Sequence, residues 1–188
     1  SFEATQQMMA HPNIALLAIT GGPGIVSMAL KSGKKTIGAG AGNPPCLVDE
    51  TAEIVKAARD IIAGASLDYN LPCIAEKSVI VVECEDKKLI QQMRESGALQ
   101  ITDPQQMAAL REVCIQKGAA NKQLVGKSPA VILAAAGLPV PAKVPKLIIL
   151  ETAADDPLVV TEQLMPVLPI VRVDNFEQGL ALALKVED

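Results

Sequence analysis

The chain has 188 residues, of which 49% are hydrophobic and 2% aromatic, with no Trp, one Tyr and two Phe. That length builds one ordinary domain, or one domain with part of another, around a core of Ala, Val, Ile, Leu and Met. A balance of 17 basic against 21 acidic residues, net −4, leaves no basic stripe, and with so few stacking side chains nucleic acid is excluded as a partner.

In chain order, SFEATQQMMA (1–10) has helical periodicity and stops at His11-Pro12-Asn13. IALLAI (14–19) then reads as a short buried strand entering the turn TGGPG. IVSMALKSG (25–33) is helical, with Gly33 in the capping position, and KKTIGAGAG (34–42) is a strand that dissolves into a glycine loop. Helix, strand, helix, strand is the beat of a parallel α/β unit. Next come a short strand CLV (46–48), a helix over 51–66 with Ile54, Ala57, Ala58, Ile61 and Ile62 on one face, and a polar, proline-interrupted turn, LDYNLPCIAEK (67–77). SVIVVECE (78–85) is a strand. Helices follow over 86–97 and over 103–118, the second with Asp103 as N-cap and Pro104 in its first turn. SPAVILAAAG (128–137) is a further helix. KLIILE (146–151) and LPIVRV (168–173) are strands around the loop TAADDPLVVTEQLMPV, and the chain closes on a helix over 175–188.

Cys46, Cys73, Cys84 and Cys114 are widely spaced, without a C-x-x-C pair, and His11 is the only histidine. No metal site is expected from that set. With no leader-like start and no apolar run of membrane-spanning length, the chain reads as cytoplasmic, with free thiols and no membrane partner.

The stretch GAGAGNPP (38–45) resembles a phosphate cradle but fails the dinucleotide fingerprint G-x-G-x-x-G. Asn43 stands where the third glycine belongs, and Pro44 and Pro45 prevent a helix from starting there.

Cys73 is the first chemical candidate, because it sits in a loop after Pro72, flanked by Asn70, Glu76 and Lys77. Cys46, Cys84 and Cys114 fit the description of structural thiols better. A loop N–H and Lys77 would favour the Cys73 thiolate, which is the nucleophilic form; from context alone, catalytic and structural roles stand level. His11, before a proline at a helix end, reads as a turn residue, so no Cys-His dyad is expected. Glu162, between apolar segments and ahead of Pro166, caps a turn on its local pattern, or accepts hydrogen bonds from a ribose as acidic residues do in dinucleotide sites.

In this order and at this spacing the loops resemble the aldehyde dehydrogenase superfamily. GAGAGNPPCLVDET, NLPCIAEKSVIVVE and TEQLMPVLPIVRV are similar to its coenzyme A-acylating branch, which includes the propionaldehyde and acetaldehyde dehydrogenases of bacterial propanediol and ethanolamine utilisation. The resemblance spans nearly the whole chain. It implies an α/β fold of three αβα layers, with 1–38 the last βα units of an NAD-binding domain and 39–188 a truncated catalytic domain. It also implies oxidation of a short-chain aldehyde, propanal or acetaldehyde, by NAD+ and coenzyme A to an acyl-CoA. Cys73 matches the catalytic cysteine, Glu162 the glutamate on the nicotinamide ribose, and Thr20, Gly21 and Gly22 a turn close to the cofactor. Ala39 takes the place of the glutamate that activates water in hydrolytic members, within a stretch of the type E-L-G-G-K-x-P, so release of the thioester by coenzyme A is expected.

The same resemblance places an NAD-binding domain before Ser1 and further strands beyond Asp188. The isolated chain is then expected to lack appreciable activity, the Cys73 N–H alone supplying an oxyanion donor of about 3 kcal/mol. The parent is expected to be a homo-oligomer, in the cytoplasm and within a protein-shelled microcompartment. A non-catalytic scaffold module and a simple nucleotide-binding domain remain as alternatives.

Overall fold

The structure, a computed structural model, describes residues 2–40 and 42–187. By internal packing the chain divides at 41/42 into two units. The division lies beyond the 38/39 boundary read from the sequence, because the second strand stays paired through Ala39, opposite Thr20.

The first unit runs α1 (Phe2–Ala10), β1 (Leu16–Thr20), α2 (Pro23–Leu30) and β2 (Lys35–Ala39). The strands are parallel, with α2 as their crossover. Met9, Leu17 and Ala29 form its small core with Ile14, Ile19, Ile25 and Met28 packed around them. Two glycines allow α2 to lie close to the strands. A Cβ on Gly21 would stand 2.7 Å from Ile25 Cγ2, and one on Gly38 would stand 2.9 Å from Val26 Cγ1. The glycine-rich stretch is therefore in part a packing device.

The second unit contains β3 (Pro45–Val48), α3 (Ile54–Ser66), β4 (Ser78–Val82), α4 (Asp86–Glu95), β5 (Ala98–Gln100), α5 (Pro104–Cys114), β6 (Ile115–Gln116), β7 (Ala119–Ala120), α6 (Pro129–Ala135), β8 (Leu147–Thr152), α7 (Pro157–Val160), β9 (Val167–Val173) and α8 (Phe176–Glu187). Its five-stranded sheet has the order β3-β4-β9-β8-β5, and every pairing in it is parallel. Strands buried on both faces need no alternation of apolar and polar residues, which is why Ser78–Val82 and Leu147–Leu150 are uniformly buried runs.

Successive residues of each strand serve opposite faces. Val48, Val79, Val81, Leu168, Ile170, Leu147 and Ile149 pack under Ala58, Ile61, Ile62 and Ala65 of α3 and Leu89, Ile90 and Met93 of α4. On the other face, Ile148, Leu150 and Val167 meet Leu110, Ile132 and Leu158 of α5, α6 and α7. Ile80, Val82 and Val173 meet Leu182 and Ala183 of α8. These are the three αβα layers expected.

Local chemistry moved several element ends. The helix expected from 51 begins at Ile54, because the Asp49 carboxylate accepts from the Thr51 N–H at 3.0 Å and the Thr51 hydroxyl at 2.7 Å, closing a turn first. The helix expected to reach 118 stops at Cys114. Lys117 and Gly118, at φ 52° and 75°, form a tight two-residue hairpin between β6 and β7. Asp103 does cap α5, accepting from the Gln106 N–H at 2.9 Å.

Candidate functional site

Parallel pairing sets where the chemistry gathers in the second unit. β3, β4 and β9 are parallel neighbours in the sheet, so the segments that lead into them gather at the same end of the strands. Those segments are Gly42–Pro44, the Cys73 loop and the Glu162 loop. The order β3-β4-β9 thus juxtaposes stretches far apart in sequence.

The Cys73 loop is an unusual piece of backbone. Asp68, Tyr69 and Asn70 lie at φ 46°, 55° and 62° without a glycine among them, a conformation costing about 1–2 kcal/mol per residue for L-amino acids. It must be held from outside. Asn70, fully buried, donates from Nδ2 to Glu76 O at 2.8 Å. Lys77, also fully buried, donates from Nζ to Asn70 Oδ1 at 2.5 Å, Asn70 O at 3.2 Å and Pro72 O at 2.7 Å. The chain then turns over Pro72–Ala75, closed by Ala75 N–H donating to Pro72 O at 3.1 Å. Cys73 occupies the first central position of this turn, half-buried, with Ile74 exposed beside it.

Lys77 is pulled two ways. Burial lowers the affinity of its amine for a proton, while Glu162, Cys73 and Glu76 nearby oppose that effect; the net displacement is downward. No histidine lies in this unit. The Glu162 carboxyl is held above the usual glutamate range by burial, against the opposing pull of Lys77 and of the Gly42 N–H that donates to it. Its Oε1 is buried with no hydrogen-bond partner among the described residues, an unused acceptor. A Cβ on Gly42 would stand 3.5 Å from Cys73 O, so the backbone of the first loop runs past the cysteine turn.

The other thiols differ in kind. Burial pushes Cys114 up to about 12, and burial with the Glu76 charge pushes Cys46 up to about 11. Cys84 is exposed. Among the described residues no group of acidic, cysteine and histidine side chains could hold a metal ion, and no helix is long and apolar enough to cross a membrane.

Two residues that the sequence marked only as loop formers are structural ties. Asn43, whose presence broke the dinucleotide fingerprint, donates from Nδ2 to Val159 O at 2.7 Å and Val186 O at 3.0 Å, tying the loop to α7 and α8 together. Gln163, buried, donates from Nε2 to Lys77 O at 3.1 Å and Leu158 O at 3.0 Å. A polar residue against a fully apolar strand was the available signal for Lys77; nothing in the sequence singled out Gln163.

Thr20, Gly21 and Gly22 belong to the first unit, at the end of β1 and the start of α2. The Gly21 N–H is used on Ala39 O at 3.1 Å, which closes the strand pair. Gly22 is the N-cap of α2 and offers no side-chain cap, and a Cβ on Gly22 or Gly24 would meet nothing within 4 Å. Gly24 carries the backbone N–H left over there, since Pro23 has none and those of Ile25 and Val26 donate to Gly22 O at 3.2 and 3.3 Å. A groove of about 570 Å³ lies between α1 and α2, lined by Gln6, Met9, Met28 and Lys31 among others. His11 accepts the Asn13 N–H on Nδ1 at 3.2 Å, as a turn residue does. Counting E-L-G-G-K-x-P back from Pro45 puts its glutamate at 39, and counting from Pro44 puts it at 38. Ala39 and Gly38 both lack a carboxylate.

Residues 2–187 match the aldehyde dehydrogenase family model. Over 188 residues, all of this chain and 41% of the relative, the sequence is 66% identical to a propanal dehydrogenase (CoA-propanoylating) from Citrobacter freundii. The solved structure of a Rhodopseudomonas palustris propionaldehyde dehydrogenase, with bound CoA and an acylated cysteine, matches with a TM-score of 0.94 at 45% identity, over 100% of this chain and 43% of that one. A propionaldehyde dehydrogenase from the fucose utilisation bacterial microcompartment of Clostridium phytofermentans matches with a TM-score of 0.92 at 44% identity, again over 100% of this chain and 43% of that one. The chain therefore spans about two fifths of the length of these relatives.

Proposed function

The chain belongs to the aldehyde dehydrogenase family, and from that premise we propose that it carries the cysteine-bearing catalytic domain of a coenzyme A-acylating aldehyde dehydrogenase, with the last βα units of the cofactor domain at 1–38. Its substrates are a short-chain aldehyde, propanal or acetaldehyde, together with NAD+ and coenzyme A. The observation that carries this reading is the convergence of Cys73, Lys77, Glu162 and Gly42 at one end of the strands β3, β4 and β9, in a chain 66% identical to a CoA-propanoylating enzyme.

The Cys73 thiol ionises, its thiolate attacks the aldehyde carbon, and the carbonyl oxygen takes up a proton to give the thiohemiacetal. Lys77 places positive charge beside the sulfur as it becomes the nucleophile. NAD+ supplies the hydride acceptor that converts the thiohemiacetal into a Cys73 thioester. Glu162 fits the ribose of that cofactor, because its unpartnered Oε1 accepts a hydroxyl hydrogen bond. Thr20, Gly21 and Gly22 of the first unit are the further residues assigned to NAD+, with Gly22 leaving the start of α2 without a side-chain cap.

With no carboxylate at 38 or 39 to activate water, a thiol is the competent nucleophile for release: at an ordinary pKa near ~8.5, a few per cent of it is already thiolate at neutrality. Homo-oligomeric assembly, and residence in a bacterial microcompartment as for the Clostridium phytofermentans relative, complete the reading. Product analysis of the intact protein with and without coenzyme A tests it. Acyl-CoA in the presence of coenzyme A and little free acid in its absence is the expected result; acid formed as fast without it refutes the thiolysis step.

A further inference from the structure

One residue is hydrogen-bonded to all three loops that build the site. The Lys77 ammonium bonds Asn70 O, Asn70 Oδ1 and Pro72 O, on the segment that leads into Cys73. Its backbone N–H donates to Pro44 O at 2.8 Å, on the loop of Gly42 and Asn43. Its carbonyl accepts from Gln163 Nε2 at 3.1 Å, on the loop of Glu162. The two backbone bonds survive any substitution except proline. The three ammonium bonds do not, since no uncharged side chain of that length donates three times.

We propose that Lys77 is the positioning residue of this site, fixing the Cys73 turn in register with Glu162 and Gly42; the inference rests on Cys73 being the nucleophile. The backbone explains why a charged clamp is needed. Asp68, Tyr69 and Asn70 sit at positive φ with no glycine to favour that conformation, and the acceptors of Lys77 lie at the exit of that turn, one and three residues ahead of the cysteine. A purely apolar plug would fill the same buried volume and leave those carbonyls without donors.

The test uses the intact protein with Lys77→Met, which keeps volume and removes the ammonium, and Asn70→Ala, which removes one acceptor of the ammonium together with the Nδ2 donor to Glu76 O and keeps the charge. Lys77→Met is expected to lower kcat roughly 10- to 100-fold, as small misplacement of a nucleophile does, with KM for propanal held within about twofold. Alkylation of Cys73 by iodoacetamide slows with it, while exposed Cys84 keeps its rate, and half-buried Cys46, its thiol pushed up to about 11, and buried Cys114 stay protected. The double variant is no slower than the slower single one, because both act through one network. Unchanged kcat and Cys73 alkylation in Lys77→Met overturn the proposal. So does a change at Cys73 accompanied by opening of Cys46 and Cys114, which marks general loosening. If Lys77→Met does not fold, Asn70→Ala carries the same readouts. Cys73→Ser separates the two levels: turnover retained in that variant refutes the nucleophile, whereas alkylation of Cys73 reads the Lys77 clamp without any turnover.

Discussion

Replacing Asn43 with leucine tests how the site edge is fastened to the helices behind it. The Asn43 amide donates to Val159 O at 2.7 Å and Val186 O at 3.0 Å, one carbonyl on α7 and one on α8. Leucine keeps the shape and leaves both acceptors buried and unpaired, at about 1.5–2 kcal/mol each, or about 3–4 kcal/mol together. Asn43 Oδ1 is itself buried without a partner, so its removal returns about 1 kcal/mol. The net loss is about 2–3 kcal/mol, equivalent to roughly 5–10 °C in Tm for a chain of this size. Asn43→Asp should be worse at neutral pH, since it loses both donors and sets a carboxylate against the same two carbonyl oxygens. Urea unfolding followed by far-UV circular dichroism measures both. A Leu variant within about 0.5 kcal/mol of the parent would refute the reasoning for this double tie.

Two further outcomes follow from the titrating groups. Thiol mapping near neutral pH should label Cys73 and Cys84 and spare Cys46 and Cys114; a thiol at about 12 is ionised to only about one part in ten thousand at pH 8, so early labelling of Cys114 would contradict its burial. Glu162→Gln should stabilise the fold at neutral pH while lowering turnover. A carboxyl whose folded value is raised contributes stability below its ordinary value of 4.5 and loses it as pH rises through the folded value. The thermal advantage of Gln over Glu should therefore shrink to nothing as pH falls below that ordinary value, and an advantage that grows on acidification would reverse the sign argued for Glu162.

Much of the fold was legible because the strong strands obey a simple rule. SVIVV and LIIL are uniform apolar runs, as strands buried on both faces must be, and Asp103-Pro104 marked a helix start that the structure keeps. Short elements escaped. Ala98–Gln100 is only three residues at the sheet edge, and Pro157–Val160 is a single helical turn, so neither has a period to detect. At the site, Cys73 stood out as the thiol least at home in an apolar element. Asn70 and Gln163 did not, because their importance lies in partners fixed by the sheet order: Gln163 bonds Lys77, 86 positions away in sequence. The glycine-rich stretch was ambiguous for a related reason. Gly38 is required by the close approach of Val26 and Gly42 runs past Cys73 O, two different demands that the letters alone do not separate.

The most direct measurement incubates the intact protein with propanal and NAD+ in the absence of coenzyme A, then maps the acyl group by peptide mass spectrometry. One propanoyl group on the Cys73 peptide, discharged when coenzyme A is added and absent from Cys73→Ser, is the predicted result. A propanoyl group on Cys46, Cys84 or Cys114, or turnover with Cys73 never modified, would contradict it.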